Sequence, residues 1–269
     1  MIRSNFHTHT IYCDGKNTPE EMIEKSISSG FSSLGFSGHA YTPFDDSFCM
    51  SNENTKKYLE TIPHLKKKYK DKIEIYCGTE ADLHSEFDQS KYDYTIGSVH
   101  YIKKENEYLS VDHSEENTKK IVKDYFDNDY LKYTRAYYET TVHLPEINPD
   151  IIGHFDVVAK FNEGGKFFDE TDKKYLDYAF FAIDEIIKKC SVFEVNTGAV
   201  AKGYKKAPYP SIPILKRLKE KGAKIILSSD CHDLNYLDFY FDESRALLKE
   251  IGFYEAVTIS GGNFLEYSI

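Results

Sequence analysis

Ten histidines occur in this 269-residue chain, and six of them, His7, His9, His39, His100, His154 and His232, stand at the ends of short apolar runs or a few residues beyond. The runs are 4–6 before His7, 33–36 before His39, 73–77 before Glu80, and 94–99 before His100. Three more follow: 151–152 before His154, 192–195 before Asn196, and 223–227 before Asp230. Such runs read as strands. In a parallel α/β barrel all strands open their C-terminal ends onto one face, so residues distant in sequence meet there. Imidazoles and carboxylates that converge in this way are metal ligands by type. His7-Thr8-His9 places two imidazoles at i and i+2, on one face of an extended segment, and Asp230-Cys231-His232 repeats the spacing after the last run. Alone, either pair is weak; two pairs on strands that become neighbours when a barrel closes describe a cluster. Glu80, in Gly78-Thr79-Glu80, stands at a third strand end, where a carboxylate can bridge two cations.

The intervening segments are amphipathic and read as helices. Residues 19–29 show the punctuation: Thr18 at the N-cap, Pro19 at N1, Glu20 and Glu21 at the positive end, and Gly30 to close. Similar patterns cover 55–69, 115–126, 129–143, 172–189, 212–221 and 242–251. About seven βα units result, and the expected fold is α/β, a distorted seven-stranded (β/α)7 TIM-like barrel in one domain spanning 1–269. Residues 101–150 interrupt the alternation with two helices in succession, either a lid over the catalytic face or a peripheral pair. The run Lys66-Lys67-Lys68 closes a helix, where cations complement the dipole, and reads as a solvated face.

Composition limits the function classes. Hydrophobic residues make up 41% of the chain, with 18 Phe and 22 Tyr, enough for a large core. Lys and Arg number 34 against 44 Asp and Glu, a net charge of −10, which opposes nucleic-acid or anionic-membrane binding. Five cysteines without a C-x-x-C pair indicate a reducing compartment rather than a disulfide framework or a thiolate zinc site. The N-terminus has no apolar core of signal-peptide length, and the most apolar stretch, 178–187, is broken by Asp184 and Glu185. A cytoplasmic protein without a membrane span is expected.

Six motifs in order carry a resemblance to a known family. They are His7-Thr8-His9 with Asp14 five positions on, Gly38-His39, Gly78-Thr79-Glu80, Gly97-Ser98-Val99-His100, Gly153-His154-Phe155-Asp156 and Ser229-Asp230-Cys231-His232. Together they resemble the polymerase and histidinol phosphatase (PHP) superfamily of metal-dependent phosphoesterases along essentially the whole chain. The resemblance implies one metal held by His7, His9, Glu80 and Asp230, a second by Glu80, His100 and His154, and a third by Asp14, His39 and His232. Up to three divalent transition ions are thus implied, and mixed N/O ligation without thiolate suits Zn, Mn or Fe. Asp82 and Asp156, two residues beyond ligands, are expected to orient them, and Cys13 and Cys231 to pack beside them.

Asn196-Thr197-Gly198, Tyr209-Pro210 and the length resemble the single-domain histidinol-phosphate phosphatase branch. That branch carries an Arg for the substrate phosphate in the loop after this strand, where Lys202 stands here; Lys binds phosphate as a point charge without the bidentate fork. The implied reaction is hydrolysis of L-histidinol phosphate by metal-activated hydroxide held at His7, His9, Glu80 and Asp230, with Asp14 or His232 as acid or base. Neither a C-x5-R loop nor a D-x-D-x-[TV] motif is present, so transfer goes directly to water. Another small phosphomonoester or a nucleotide is the alternative substrate. An amidohydrolase-type barrel and a non-enzymatic metal-binding barrel are the other classes, and the oligomeric state is left open.

Overall fold

The computed structural model describes residues 2–269. Eleven strands are found: β1 (Ser4–Asn5), β2 (Ser33–Phe36), β3 (Glu74–Asp82), β4 (Tyr94–Ser98), β5 (Tyr101–Lys104), β6 (Glu107–Ser110), β7 (Ile151–Ile152), β8 (Val192–Asn196), β9 (Lys224–Ser228), β10 (Glu255–Ser260) and β11 (Asn263–Ser268). The helices are α1 (Pro19–Ser28), α2 (Asn52–Lys68), α3 (Glu115–Tyr125), α4 (Tyr130–Thr141), α5 (Lys173–Ile186), α6 (Gly198–Ala201), α7 (Ile212–Glu220) and α8 (Phe241–Ile251). All seven expected runs are strands and all seven expected helices form. At α1 the cap is as read from sequence, with Thr18 and Glu21 satisfying each other's backbone N–H groups in a capping box.

One curled sheet has the order β1-β2-β3-β4-β7-β8-β9-β10-β11; every neighbouring pair is parallel except β10 and β11. The count of seven strands is therefore corrected to nine. The two extra strands form a C-terminal hairpin turned by Gly261 and Gly262, both at positive φ, which only glycine adopts without strain. The curl brings the segment after β1 onto the segment after β9: His9 N–H donates to the Cys231 carbonyl at 2.8 Å and Cys231 N–H to that of His7 at 3.0 Å. Both histidine pairs thus lie side by side at one rim.

Residues from successive strands, among them Phe6, Tyr94, Ile96, Ile151, Val192 and Ile226, fill the inside of the curl beneath that rim. Tyr94 crosses it, its hydroxyl donating to the Phe6 and Phe36 carbonyls. A Cβ at Gly78 would lie 2.3 Å from the Tyr94 ring, so the strand that carries Glu80 passes the plug only with glycine there.

The 101–150 insertion is more than two helices. Its first part is the β5–β6 hairpin, a separate two-stranded sheet that the sequence reading did not include. The helices are peripheral: α4 packs on α5, where the buried Tyr138 hydroxyl donates to that of Tyr175 at 2.8 Å. Lys66 and Lys68 pair with Asp93 and Glu20 on the surface, a solvated face as expected. No helix among the described residues is long and apolar enough to cross a membrane.

Candidate functional site

Every expected ligand reaches the rim at the C-terminal ends of the strands. His7 and His9 follow β1, His39 follows β2, Glu80 lies near the end of β3, His100 follows β4 and His154 follows β7, while Asp230 and His232 follow β9. Asp14 folds back from the loop after His9. Glu80 stands at the middle. Its Oε2 lies 3.1 Å from His7 Nε2, 3.6 Å from His9 Nε2 and 2.9 Å from His39 Nδ1, and its Oε1 lies 2.9 Å from His154 Nε2 and 3.5 Å from His100 Nε2. Asp230 Oδ1 is 3.2 Å from His9 Nε2 and 3.7 Å from His7 Nε2. Around Asp14, His232 Nε2 comes to 3.1 Å, and His39 Nε2 and His9 Nδ1 each to 3.7 Å.

Four groups of side chains have ligand atoms within 4.8 Å of one another: His9, Asp14, His39 and His232; His7, His9 and Asp230; His7, Glu80 and His154; and His39, Glu80 and His100. Their overlap through His7, His9, His39 and Glu80 makes one continuous centre. The sets differ from the sequence expectation in how the ligands are shared. His9 joins the Asp14 group as well as the Asp230 group, and His100 and His154 approach Glu80 separately.

The chemistry of this donor set fits cations. His7 Nε2, His9 Nε2 and Glu80 Oε2 are buried, face one another and have no hydrogen-bond partner, a costly arrangement unless positive charge sits among them. Burial works against a charge on His7, yet the carboxylates of Glu194, Glu80 and Asp230 hold its pKa well above the ordinary value. His9 goes the other way, pushed down to about 3 by burial and by His232 and His39. Burial opposes the charge of Glu80 too, but the imidazoles of His7, His39 and His100 keep it well below the usual carboxylate range. Protons cannot satisfy every donor at once, whereas bound cations can.

Neighbours fix which nitrogen is offered. Glu194 on β8 accepts from His7 Nδ1 at 2.6 Å, leaving Nε2 free toward Glu80, and its other oxygen accepts from the His154 backbone N–H at 2.8 Å. The Asp230 carbonyl accepts from His232 Nδ1 at 2.8 Å, leaving Nε2 toward Asp14. Asp82 accepts from the His100 backbone N–H at 2.7 Å and lies 3.7 Å from His100 Nδ1, so it holds the chain at His100 without a hydrogen bond to the ring. Asp156 does not have the expected orienting role; it accepts from Ser211 N–H at 2.8 Å and touches none of the histidines. Sequence reading missed Glu194, although a carboxylate inside the run Val192-Phe193-Glu194-Val195 was the visible signal. Cys13 and Cys231 pack beside ligands, with burial pushing both thiols up to about 12, so neither offers a thiolate.

Lys202 caps α6, next to Gly198, where a Cβ would come within 2.9 Å of Asp230 Cβ. Its Nζ lies 4.0 Å from Asp230 Oδ2 and 3.5 Å from His232 Nδ1, and the side chain is 39% exposed. The centre opens into a cavity of about 230 Å³ that Lys202, Lys160, Phe48, Tyr101 and Asp112 also line. A phosphate ester entering there would meet a cation-binding floor and a lysine at its edge.

The family model described as PHP domain matches residues 5–198. The histidinol-phosphatase of Bacillus subtilis is 26% identical over 266 residues, covering 90% of this chain and 98% of its own. Among solved structures, HisK of Listeria monocytogenes superposes with a TM-score of 0.79 at 21% identity, over 90% of this chain and 99% of that one. The histidinol phosphate phosphatase of Lactococcus lactis, complexed with Zn, L-histidinol and phosphate, superposes at 0.69 with 22% identity, over 97% and 98%.

Proposed function

The chain belongs to the PHP domain family, and from that premise we propose that it is a metal-dependent phosphatase, one domain over 1–269, that hydrolyses L-histidinol phosphate to L-histidinol and phosphate in the cytoplasm. The observation that carries the reading is the buried cluster of facing, unpartnered imidazole and carboxylate atoms around Glu80, beside a lysine and at the floor of an open cavity. The substrate is argued from the names of the Bacillus and Lactococcus relatives and from the zinc, L-histidinol and phosphate held by the latter.

In this reading His7, His9, Glu80 and Asp230 hold one divalent ion, Glu80, His100 and His154 a second, and Asp14, His39 and His232 a third, with Zn, Mn or Fe as occupants. Such ions supply water of lowered pKa and neutralise charge on phosphoryl oxygens. Lys202 adds one positive charge at a phosphate oxygen. As the ester P–O bond breaks and the P–O bond from water forms, the departing alkoxide takes up a proton from His232 Nδ1, the ring nitrogen not offered to the third ion, or from Asp14 where that ion is absent, and the proton lost by the attacking water replaces it.

The test is phosphate release by purified protein reconstituted with Zn or Mn. Histidinol phosphate should exceed a generic aryl phosphate in kcat/KM by about a hundredfold or more. Equal rates on both, a wide preference for a nucleotide, or amide hydrolysis without phosphatase activity would reject the assignment.

A further inference from the structure

The cavity continues beyond the histidines, and the rest of its wall has its own chemistry. The segment after β2 carries Asp45 and Phe48, the β5–β6 hairpin contributes Tyr101, and Asp112 follows β6. Segment and hairpin are fastened together: Phe44 stacks on Tyr108 with ring centroids 3.6 Å apart, and the Tyr101 hydroxyl donates to Asp45 Oδ2 at 2.7 Å. Phe48 packs edge-on against His39 at 4.8 Å, so an apolar ring stands directly beside the candidate ligands.

Two carboxylates share this wall with a single lysine and with His113, which stands near Asp45. Both oxygens of Asp45 are occupied by neutral donors, Oδ1 by Ser47 and Oδ2 by Tyr101, and it keeps its full charge. Lys160 Nζ donates to the Asp112 carbonyl at 2.8 Å and to its Oδ2 at 3.2 Å. Oδ1 of Asp112 receives no hydrogen bond from the described residues, and its side chain is a quarter exposed, at 25%. Burial alone would raise the Asp112 pKa, but Lys160, His100 and His154 bring it down to about 2, so it is a carboxylate at any ordinary pH.

The cavity is therefore dipolar: a cation-binding floor with Lys202 takes the phosphate, and the Asp45 and Asp112 wall is left with an excess negative charge. We propose that Asp112, positioned by Lys160 and backed by Asp45, accepts a hydrogen bond from a cationic group on the leaving alcohol, with Phe48 as the apolar wall, so that the site selects phosphate esters of amino alcohols. The inference rests on the phosphatase reading above and adds the residue that sets its leaving-group preference.

Asp112→Asn keeps an acceptor for Lys160 and removes the charge. Its kcat/KM for histidinol phosphate should fall by about 10- to 100-fold more than that for p-nitrophenyl phosphate, which has no cation, and inhibition by L-histidinol should weaken in parallel. Asp112→Glu should recover part of the ratio. An unchanged ratio, whether both activities fall together or neither falls, overturns the inference. Thermal unfolding and bound metal are measured on each variant, and Asp177→Asn, in an exposed pair on α5, should alter neither activity. If the wild-type enzyme hydrolyses p-nitrophenyl phosphate but not histidinol phosphate, the substrate assignment fails on its own, and the same ratio measured with phosphoethanolamine decides the role of Asp112.

Discussion

His7 Nδ1 lies 2.6 Å from Glu194 Oε1, and the two residues, 187 positions apart in sequence, are both fully buried. The carboxylate holds the proton on Nδ1, turns the ring and leaves Nε2 as the lone pair that faces Glu80 and Asp230. Because Glu194 also accepts from the His154 backbone N–H, one side chain on β8 orients groups on both sides of the centre.

Glu194→Gln should therefore weaken metal binding by about 10- to 100-fold, the usual cost of losing a ligand's hydrogen-bonded partner. Activity should return as free metal is raised, since the ligands themselves remain. Chelator titration followed by stepwise addition of Zn or Mn reads this directly, and wild-type affinity in the variant would remove Glu194 from the site.

Glu80 is the one carboxylate within reach of five imidazoles, those of His7, His9, His39, His100 and His154. Glu80→Gln keeps the size and loses the charge that bridging cations requires, so turnover should fall by several orders of magnitude and bound metal should drop. Asp88→Asn, which alters an exposed loop carboxylate capping a short 3-10 turn, should do little. Near-normal turnover in Glu80→Gln is the result that contradicts its bridging role.

The four overlapping candidate groups offer more donor atoms than one ion coordinates. Metal analysis of protein purified without chelator should find more than one divalent ion per chain, and removing the ions should abolish phosphatase activity while leaving most of the helical signal. A stoichiometry of one or less after reconstitution with Mn or Zn argues against a multinuclear centre.

The nine candidate ligand positions are readable in sequence because a parallel sheet imposes a simple rule: strands aligned in one direction deliver their following residues to one rim. His7, His39, His100, His154 and Asp230 obey it whatever the details of curvature. Glu194 escaped the rule because it lies inside its strand, where it looked like an interruption of an apolar run; the i, i+2 spacing to Asn196 put both on one face. Asn196 Nδ2 in fact donates to Glu194 Oε2 at 2.9 Å. The β10–β11 hairpin carries no ligand-type residue at its end, so nothing in its chemistry marks it, although Gly261-Gly262 between two apolar runs is a hairpin signal. Asp156 was misplaced for the opposite reason: its spacing from His154 matches that of Asp82 from Glu80, but the chain after β7 turns into a short 3-10 segment and aims the carboxylate at Ser211.

The insertion offers a test of packing apart from the chemistry. Tyr138 on α4 and Tyr175 on α5 are buried, and their hydroxyls meet at 2.8 Å. Tyr138→Phe removes the donor and leaves the Tyr175 hydroxyl buried, at a cost of about 1–3 kcal/mol in unfolding free energy. Denaturant titration measures it, and kcat should be unchanged because neither residue lines the cavity. The double variant Tyr138→Phe/Tyr175→Phe should recover part of the loss, since no polar group is then stranded.

Lys202 separates a substrate contact from a solvated side chain. Its Nζ sits within 4.0 Å of Asp230 and 3.5 Å of His232, and although burial opposes its charge, Asp230 and Asp14 raise its pKa, so it is a cation at neutral pH. A surface lysine of this exposure contributes little to stability, so its removal should leave the fold intact. If it meets the phosphate, Lys202→Ala should raise KM by about tenfold or more, the equivalent of one charge-assisted hydrogen bond of about 1.5–3 kcal/mol. Lys202→Arg should retain or improve kcat/KM, because the guanidinium fork matches two phosphate oxygens where the ammonium is a point charge. A charge whose work is to hold Asp230 instead of substrate predicts a different pattern: metal affinity falls in Lys202→Ala while KM at saturating metal stays at the wild-type value. Steady-state kinetics at saturating Zn or Mn, with bound metal measured in the same samples, distinguishes the two, and unchanged kinetics and metal content in both variants would leave Lys202 no part in the site.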